Sequence, residues 1–381
     1  MNIPRRVAVL IETDDSWGRD VVAAIARAAR THQWQLLIAP RDHQNRLRLP
    51  RRWRGDGVLV SLRNQSTAAH VRRRGLPAVD VSLMMNQATW LGRVATDNTV
   101  RARMAFDHFR ERQFEHFACY APAIGRYSLD RIRRFQSVVE AAGFNCPVFA
   151  QRGQTVGWEV EHDQVVKWLS QLPRPLALFA ADAFPARQIA EICVWNDIAV
   201  PEEIAILAGD NDDLFCTVLT PQLSSIQLNC DRIGTEAAGL LQRLMNGAAI
   251  PSRPKLIPPL YVNERQSTNR MAVDDPEIAA ILQFISERVR SPLTVEDIVR
   301  AFPISRRSLE QRFQQVLGRS PAEQIRAMKM SEVQNLLRDT QRSITEIALE
   351  IGFRSASALT QQFRRHFGVT PTAERAQLRR R

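Results

Sequence analysis

Two kinds of hydrophobic segment alternate along the first 260 residues. Short continuous apolar runs are followed by stretches in which apolar residues recur every three or four positions, as at Val21, Ile25 and Ala29. The first pattern predicts buried strands and the second predicts amphipathic helices. Strands alternating with helices form a parallel sheet covered on both faces, and this many units predict two lobes. Predicted strands span residues 6–12, 34–39, 56–62, 77–83, 116–121, 176–182 and 203–210, and predicted helices include 18–33, 67–75 and 95–112.

The last 106 residues contain an internal repeat. Residues 293–323 and 343–374 share a short amphipathic helix, a tight turn and a second helix that ends at Gly and precedes Pro. This order predicts two helix-turn-helix units, 293–318 and 343–368, joined by a long helix over 321–339. The offset between matching positions grows from 49 to 50 across the turn, so the second turn is one residue longer. The matching pairs are Val295 and Ile344, Ile298 and Ile347, Val299 and Ala348, Phe302 and Ile351, Leu309 and Leu359, Phe313 and Phe363, Gly318 and Gly368, and Pro321 and Pro371.

A proline-rich and then polar segment separates the two patterns. Pro251, Pro254, Pro258 and Pro259 break helices and favour extended chain. Asp275-Pro276 has the residues that favour the start of a new helix. We therefore predict a two-lobed α/β domain at residues 1–268, a linker at 269–275 and an all-α domain at 276–381.

The net charge of +12 points to a polyanionic partner, either nucleic acid or an anionic membrane. From Pro276 to Arg381 there are 18 Arg and Lys against 11 Asp and Glu, so the repeat region is the more basic part. A solvated basic surface would give the same totals. No apolar segment approaches the roughly 18 residues of a membrane span, and the N-terminal apolar run is too short for a signal peptide. We expect a cytoplasmic protein with no membrane contact.

Polar residues follow the predicted strands, where the carboxyl ends of parallel strands place ligands. Carboxylates and amides accept hydrogen bonds from sugar hydroxyls, and arginine donates them. Each acid could instead be a turn former or a helix N-cap, but the recurrence of acids at strand ends favours a ligand cleft. The candidate ligand-binding residues are Asp14, Asp15, Asp97, Arg131, Asp182, Asp210 and Asn211.

The second helix of each repeat carries side chains suited to a DNA groove. Arginine reads guanine edges, glutamine reads adenine, and serine or threonine contacts bases or phosphates. A polar face exposed to solvent is the alternative for one helix, but two basic copies favour DNA. The candidate DNA-binding residues are Ser305, Arg306, Arg307, Ser308, Gln311, Arg312, Arg354, Ser355, Ser357, Thr360, Gln361, Arg364 and Arg365.

Two family resemblances sharpen this picture. Residues 5–268 resemble the periplasmic-binding-protein-like effector domain of LacI/GalR transcription factors, through "VATDN", "LDRIRRF", "PEEIAILAGDND" and "LSSIQLNCDRIG". Residues 276–381 resemble the AraC/XylS DNA-binding domain, through "ITEIALEIGFRSASALTQQFRRHFGVTP". Three features depart from the second family: Leu359 replaces an aromatic residue, Gln361 replaces a basic one, and Phe302-Pro303 occupies a turn that usually holds Gly. The base preference is therefore not carried over.

These resemblances imply a sugar-controlled regulator of transcription, expected to activate catabolic genes for a sugar such as the pentose xylose. The expected partners are double-stranded DNA, a small sugar, RNA polymerase and a second copy of the chain, dimerising through the first domain. The sequence leaves open the sugar, which could be a pentose, a hexose or a phosphorylated relative, and the choice between activation and repression.

Two other classes of protein remain as alternatives. The first domain alone would suit a solute-binding component of a transporter, and "GDNDD" at 209–213 would suit a metal or acid/base site of a sugar-active enzyme. Motifs for nucleotide binding, zinc hydrolysis and serine hydrolysis are absent. The seven His and five scattered Cys residues show no metal-ligand spacing, and buried thiols are expected. We expect no catalytic residue, metal site or cofactor.

Overall fold

The computed structural model describes residues 4–85, 88–122, 129–150, 158–269, 276–317, 319–340, 342–367 and 369–380. The chain divides into two compact units, Met1–Arg270 and Met271–Arg381. Among the helices of these ranges, none combines the length and apolar character needed to cross a membrane.

The first unit contains two parallel sheets, as the alternating sequence pattern predicts. The strand order is β11-β5-β4-β3-β1-β2 in one lobe and β12-β10-β9-β8-β6-β7 in the other. Among the strands of the described residues, β12 alone runs antiparallel, against β10. The strands are β1 Arg6–Leu10, β2 Gln35–Ile38, β3 Gly57–Val60, β4 Ala78–Asp80, β5 Gly92–Thr96, β6 His116–Ala121, β7 Val148–Ala150, β8 Leu176–Ala180, β9 Ile204–Ala208, β10 Ser224–Gln227, β11 Lys255–Ile257 and β12 Tyr261–Asn263.

Helices connect these strands and cover the faces of the sheets. Helix α8 packs along α1, where a Cβ on Gly234 would lie 2.5 Å from the Ala24 Cβ, so this close approach requires glycine. The helices are α1 Ser16–Thr31, α2 Gln65–Arg72, α3 Asn98–Arg110, α4 Leu129–Ala141, α5 Trp158–Ser170, α6 Ala183–Trp195, α7 Asp213–Thr217 and α8 Cys230–Met245. The predicted two-lobed α/β architecture is confirmed.

Several short strands depart from the sequence prediction, among them β5, β10, β11 and β12. The helix predicted over 95–112 begins only at Asn98, and the residues before it form β5. Strands β11 and β12 lie in the proline-rich segment, on either side of Pro258-Pro259. Pairing with other strands of the folded sheets decides these segments, and no separate apolar run announces them in the sequence.

The chain after β12 is held onto the first unit. The Ser267 hydroxyl donates to the Ile206 carbonyl at 2.6 Å, and the Thr268 hydroxyl donates to Ser224 Oγ at 2.7 Å. Both residues are fully buried. Of the linker predicted at 269–275, only Asn269 lies within the described residues.

The second unit contains the predicted repeat of helices. The short helices α10 and α13 begin 49 residues apart. The second helices of the two units, α11 and α14, begin 50 residues apart, and we call them the recognition helices. Helix α12 matches the predicted linking helix over 321–339. The predicted helix-ending Gly318 and Gly368 lie outside the described residues. The helices are α9 Pro276–Glu287, α10 Val295–Ala301, α11 Arg306–Leu317, α12 Pro321–Asp339, α13 Ile344–Glu350, α14 Ala356–Phe367 and α15 Pro371–Arg380.

The extra residue of the second turn has a structural explanation. Gly352 adopts φ +78°, in the left-handed region that favours glycine. The first turn is shorter by one residue, and there Phe302 leaves α10 in an extended conformation with φ −124° and ψ 146°. The first turn therefore needs no residue at positive φ at this point, which accounts for Phe302-Pro303 where the family usually has Gly.

Candidate functional site

A cavity of about 380 Å³ lies between the two lobes of the first unit. Its lining comes from segments after the strands of both sheets, because the carboxyl ends of the parallel strands meet there. Six of the seven residues predicted to bind a ligand line it: Asp14, Asp15, Arg131, Asp182, Asp210 and Asn211.

Asp97 is the seventh predicted residue, and it is not among the residues that line the cavity. Its carboxylate caps α3, accepting from the Thr99 and Val100 amides at 2.8 and 3.1 Å. The alternative role as a helix N-cap therefore describes this residue. Its neighbour Asn98 lines the cavity instead, and donates to Asp130 at 3.2 Å.

Arg131 and Asp210 form the central ion pair of the cavity. Arg131 Nη1 lies 3.1 Å from Asp210 Oδ2 and donates to the Ala181 carbonyl at 2.5 Å. The other carboxylate oxygen of Asp210 accepts from the Ala183 amide at 2.9 Å. These contacts fix the ion pair at the ends of β8 and β9 before any ligand binds.

Asp182 has two roles at the same edge. Its carboxylate caps α6 by accepting from the Phe184 amide at 3.0 Å. Burial, with the nearby Asp210 carboxylate, raises the pKa of Asp182 to about 7. Asp182 therefore carries its proton in a large share of molecules near neutral pH, and in that form it can donate to a ligand oxygen as well as accept.

On the first-lobe side, the acidic residues are occupied by neighbouring groups. Asp15 caps α1 through the Gly18 amide at 2.7 Å and lies 3.7 Å from Arg63, which also pairs with Glu12 at 2.9 Å. Asp14 binds Arg41 with both oxygens at 2.7 Å. Sequence reasoning found the acids but not their basic partners, because these come from distant segments.

Asp212 connects the two lobes at the edge of the cavity. Its Oδ2 accepts from the Ser16 amide at the start of α1 at 2.9 Å, and its Oδ1 caps α7 at the Leu214 and Phe215 amides. Asn211 is fixed as well, since its Oδ1 accepts from Ser225 Oγ at 2.8 Å and from Arg265 at 3.1 Å. The "GDNDD" segment thus consists of paired and capping groups.

The sequence analysis missed further lining residues, among them three aromatic residues and two arginines. Trp17, Phe184 and Phe215 supply aromatic faces, and Phe184 and Phe215 are 6.0 Å apart in an edge-to-face arrangement. Aromatic faces beside polar groups are typical of small-molecule sites. Arg63 and Arg101 also line the cavity. Trp17 follows Asp14-Asp15 closely enough to have been found, whereas Arg101 lies inside a helix and gave no signal.

The recognition helices α11 and α14 expose most of the predicted DNA-binding residues. Ser305 and Ser355 occupy matching positions before these helices and accept from the Ser308 and Ala358 amides at 3.2 and 3.1 Å. Their hydroxyls therefore act as helix caps. The side chains that lie on exposed surface are Ser305, Arg306, Arg307, Gln311, Arg354, Ser355, Ser357, Gln361, Arg364 and Arg365.

Three predicted DNA-binding residues have side-chain contacts within the second unit. Arg312 is half-buried and pairs with Glu277 of α9. The Thr360 hydroxyl donates to the Ala356 carbonyl at 2.8 Å. Arg306 is exposed but lies 2.6 Å from Glu296 and 3.2 Å from Glu310. Ser308 is partly buried. The apolar faces of both helices fill the cores, as Leu309, Phe313, Leu359 and Phe363 are fully buried.

Lys329 of the linking helix connects the two helix-turn-helix units. Its ammonium donates to the Ser291 carbonyl at 2.9 Å and to the Ile351 carbonyl at 3.1 Å. Ser291 precedes α10, and Ile351 lies in the turn between α13 and α14. Burial lowers the pKa of Lys329. Arg290 adds contacts to Glu332 at 2.5 Å and Glu350 at 3.3 Å. The spacing of the two units is thus fixed by hydrogen bonds in addition to apolar packing.

Within the described ranges, no three His, Cys, Asp or Glu residues are grouped to hold a metal ion. All five cysteines are buried free thiols, which confirms the expectation for them. Burial raises the pKa of Cys193 to about 12 and that of Cys216 to about 11, so both are protonated near neutral pH.

Comparison with known proteins assigns both units. Residues 106–268 match the periplasmic binding protein-like domain family, and residues 298–377 match a helix-turn-helix domain family. The xylose operon regulatory protein of Haemophilus influenzae is 28% identical over 380 residues, covering 96% of this chain and 97% of the relative. That of Escherichia coli K12 is 27% identical over 376 residues, covering 96% and 95%. The solved structure of a xylose-binding transcription activator aligns with a TM-score of 0.70 and 25% identity, covering 98% of both chains.

The chain is therefore a DNA-binding regulator of transcription, in which a periplasmic-binding-protein-like domain precedes an AraC-type helix-turn-helix domain. It is a homologue of the bacterial xylose operon regulatory proteins over nearly their full length. Because these relatives are regulators of transcription, the expectation of a non-enzymatic protein is confirmed, and neither a transport component nor a sugar-active enzyme is supported.

Proposed function

We propose that this protein activates the transcription of sugar-catabolic genes when a small sugar fills the cavity between its lobes. One observation carries the proposal: a single chain contains a cavity with polar and aromatic walls and two helix-turn-helix units with exposed basic residues. The names of the full-length relatives favour a pentose, either xylose itself or a close derivative, and the name of the structural relative favours activation.

The cavity suits a sugar in two respects. Asp182, Asp210, Asn211 and Arg131 present acceptors and donors of the kind that bind vicinal hydroxyls. The indole of Trp17 and the ring of Phe215 offer flat apolar surfaces for the C–H face of a sugar ring. Asp14 and Asp15 contribute at the first-lobe edge, although neighbouring groups already occupy both carboxylates.

The DNA-binding part of the proposal rests on α11 and α14. Each helix would enter a major groove, with the two sites one helical turn, about 34 Å, apart on one face of the DNA. Gln311, Ser357 and Gln361 would meet base edges, while Arg307, Arg364 and Arg365 would neutralise phosphates. Arg312 is assigned a supporting role here, because Glu277 already holds it.

Sugar binding would control transcription through the relative position of the lobes. Asp212 already bridges them at Ser16, so a ligand that also contacts both lobes would favour the closed arrangement. A ligand shifts such an equilibrium only by its difference in affinity for the two states, commonly about 5- to 150-fold. The closed state would favour one arrangement of bound DNA and contact with RNA polymerase, in the cytoplasm where operator DNA is available.

A homodimer is part of the proposal. Helix α6 exposes Val194 and Trp195, and helix α7 with its C-cap exposes Leu214 and Val218, with exposed fractions between 51% and 63%. These two adjacent helices form what we call the α6/α7 face. A symmetric dimer buries the same patch on both subunits, and it would present four recognition helices to DNA.

The test uses the full-length chain and DNA selected from a random library. We expect the selected fragments to share two sequence elements about one helical turn apart, and their affinity to fall steeply with salt. A pentose should change that affinity or the shape of the complex, and should raise transcription by bacterial RNA polymerase from a promoter beside the selected site. Selected DNA without a common sequence, or binding that does not depend on salt, would overturn the DNA assignment.

A further inference from the structure

The guanidinium of Arg101 is the least satisfied charged group at the cavity. Arg101 projects from the first turn of α3, lines the cavity and is only 2% exposed. Its Nε and Nη1 atoms are buried and make no hydrogen bond. An arginine this deeply buried ordinarily has an acidic or carbonyl partner, because removing its charge from water is costly.

The other two arginines of the cavity wall have such partners. Arg63 pairs with Glu12 at 2.9 Å, and Arg131 pairs with Asp210 at 3.1 Å. Burial lowers the pKa of Arg101, and the nearby charge of Arg131 lowers it further, although the carboxylates of Asp210 and Asp182 act in the opposite direction. Arg101 therefore has a like charge nearby and no ion pair of its own among the described residues.

The lining carboxylates are already engaged by other donors. None of them accepts a hydrogen bond from the Nε or Nη1 atom of Arg101. Asp14 is bound by Arg41, Asp15 by the Gly18 amide, Asp182 by the Phe184 amide, Asp210 by Arg131 and the Ala183 amide, and Asp212 by the Ser16, Leu214 and Phe215 amides.

We propose that the effector carries an acidic group, a carboxylate or a phosphate, and that this group binds Arg101. This inference rests on the proposed function, since it narrows the sugar to an acidic sugar derivative such as a sugar acid or a sugar phosphate. Arginine matches the planar oxygens of both groups with paired hydrogen bonds, and such charge-assisted bonds are about twice as strong as neutral ones. A neutral sugar brings hydroxyl oxygens to Arg101 but no compensating charge.

The other residues of the cavity would bind the remaining parts of the same ligand. Asp182, Asp210 and Asn211 would hold hydroxyls, and Trp17 and Phe215 would cover the ring. The acidic group would lie on the α3 side, where Arg101 and Asn98 come from the same first turn of the helix. The α3 N-terminus adds amides to this side, although Asp97 already accepts from two of them.

The experiment compares neutral and acidic forms of the same sugar on the full-length chain. Xylose, xylonate and xylulose 5-phosphate are each titrated by calorimetry and by thermal shift, with glucose, gluconate and glucose 6-phosphate as the hexose set. We expect one acidic form to bind about 10- to 100-fold more tightly than its neutral parent. Comparing the sugar acids with the sugar phosphates shows whether the acidic group is a carboxylate or a phosphate.

Variants test whether Arg101 causes the preference for the acidic form of the sugar. Arg101→Gln should remove most of the preference for the acidic form and leave weak binding of the neutral parent. Arg103→Gln is the matched control, with the same change on the exposed face of the same helix, and it should keep the preference. Should Arg101→Gln fail to fold, Arg101→Lys keeps a charge without paired donors and should weaken binding of the acidic form about tenfold.

The outcomes separate this inference from the function on which it rests. Tighter binding of xylose or glucose than of their acidic forms would overturn the inference and leave sugar control intact. Equal losses of neutral and acidic binding in Arg101→Gln would also overturn it, because Arg101 would then have only a structural role. Absence of binding by every neutral and acidic sugar tested would instead contradict the proposed sugar effector itself.

Discussion

At the scale of single residues, the cavity is built from groups that serve the fold and the site together. Asp15, Asp182 and Asp212 each cap a helix and line the cavity at the same time. A helix that starts directly after a parallel strand needs an N-cap at the carboxyl edge of the sheet, where ligands also bind. The two readings of these acids, cap or ligand group, are therefore not exclusive.

Asp182 should make the stability of the unliganded protein depend on pH. Its pKa is about 7 in the folded protein against 3.8 for an ordinary aspartate, so the folded state binds more protons between those values. The stability of the wild-type protein should therefore fall as pH rises through this window. Asp182→Asn keeps an oxygen for the Phe184 amide but removes the titration, so its melting temperature should decline less between pH 5 and 8. The control is Asp97→Asn, which alters a cap outside the cavity, and equal slopes in both variants would contradict this role for Asp182.

Two exposed residues of α14 should affect DNA binding in different ways. Gln361→Ala should cost about 1–3 kcal/mol on the preferred sequence and relax the choice of base at one position, because glutamine reads base edges. Arg364→Ala should weaken binding equally on all sequences and reduce the salt slope by about one, as expected for the phosphate contact that we propose for it. Binding measured on a set of single-base operator variants at several salt concentrations separates the two effects. If the Arg364 variant instead lost its preference for a base at one position, Arg364 would be the residue that contacts a base edge, and this would contradict the proposed roles.

At the scale of elements, the two helix-turn-helix units are duplicated down to their caps. Thr294 with Asp297 and Ser343 with Glu346 form capping boxes at the starts of α10 and α13. The two units thus share the residues that start each first helix and the positions that are buried. The turn between the two helices differs in length by one residue. This explains why the sequence alone located α10, α11, α13 and α14 closely.

Lys329 should control the spacing between the two units. Lys329→Met removes the donors to the Ser291 and Ile351 carbonyls, so the units should rotate more freely about α12. Because a fixed geometry raises the effective concentration of the second contact, affinity for DNA with both elements should fall about tenfold. Arg326→Met, an exposed change on the same helix, is the control.

The DNA itself provides the decisive measurement for Lys329. Insertion of one or two base pairs between the two elements should weaken wild-type binding strongly and the Lys329→Met variant less. A merely destabilised domain would lose affinity for all spacings by the same factor, and that result would contradict the spacing role.

At the scale of the whole molecule, an effector domain of one family and a DNA-binding domain of another share one chain. The alignments with the nearly full-length relatives extend over both units of this chain, covering 96% of it in one case and 98% in the other. The first unit supplies the cavity and the α6/α7 face, and the second supplies two recognition helices. Regulation then requires only that the ligand and DNA each prefer one state of the assembly.

The α6/α7 face gives a test of the dimer. Trp195→Glu or Leu214→Glu would place a charge on this face and should convert the protein to a monomer with weaker operator binding. Ile38→Glu is the matched control, since Ile38 is 50% exposed on the edge strand β2 of the other lobe. Sedimentation or light scattering measures the oligomeric state, and an unchanged dimer in both α6/α7 variants would place the interface elsewhere.

The sequence by itself determined the fold class, both helix-turn-helix units and the carboxylates at the strand ends, because periodicity, caps and turn residues are local properties. The strands that it missed include β5, β10, β11 and β12, whose few residues become strands through pairing with other segments of the folded chain. It also missed Arg101, and it could not tell that Asp97 only caps a helix or that Arg312 is held by Glu277. These facts depend on which residues meet across the folded chain. Tertiary structure alone decided them, because a side chain acquires its partner, its burial and its unsatisfied charge only when distant segments come together.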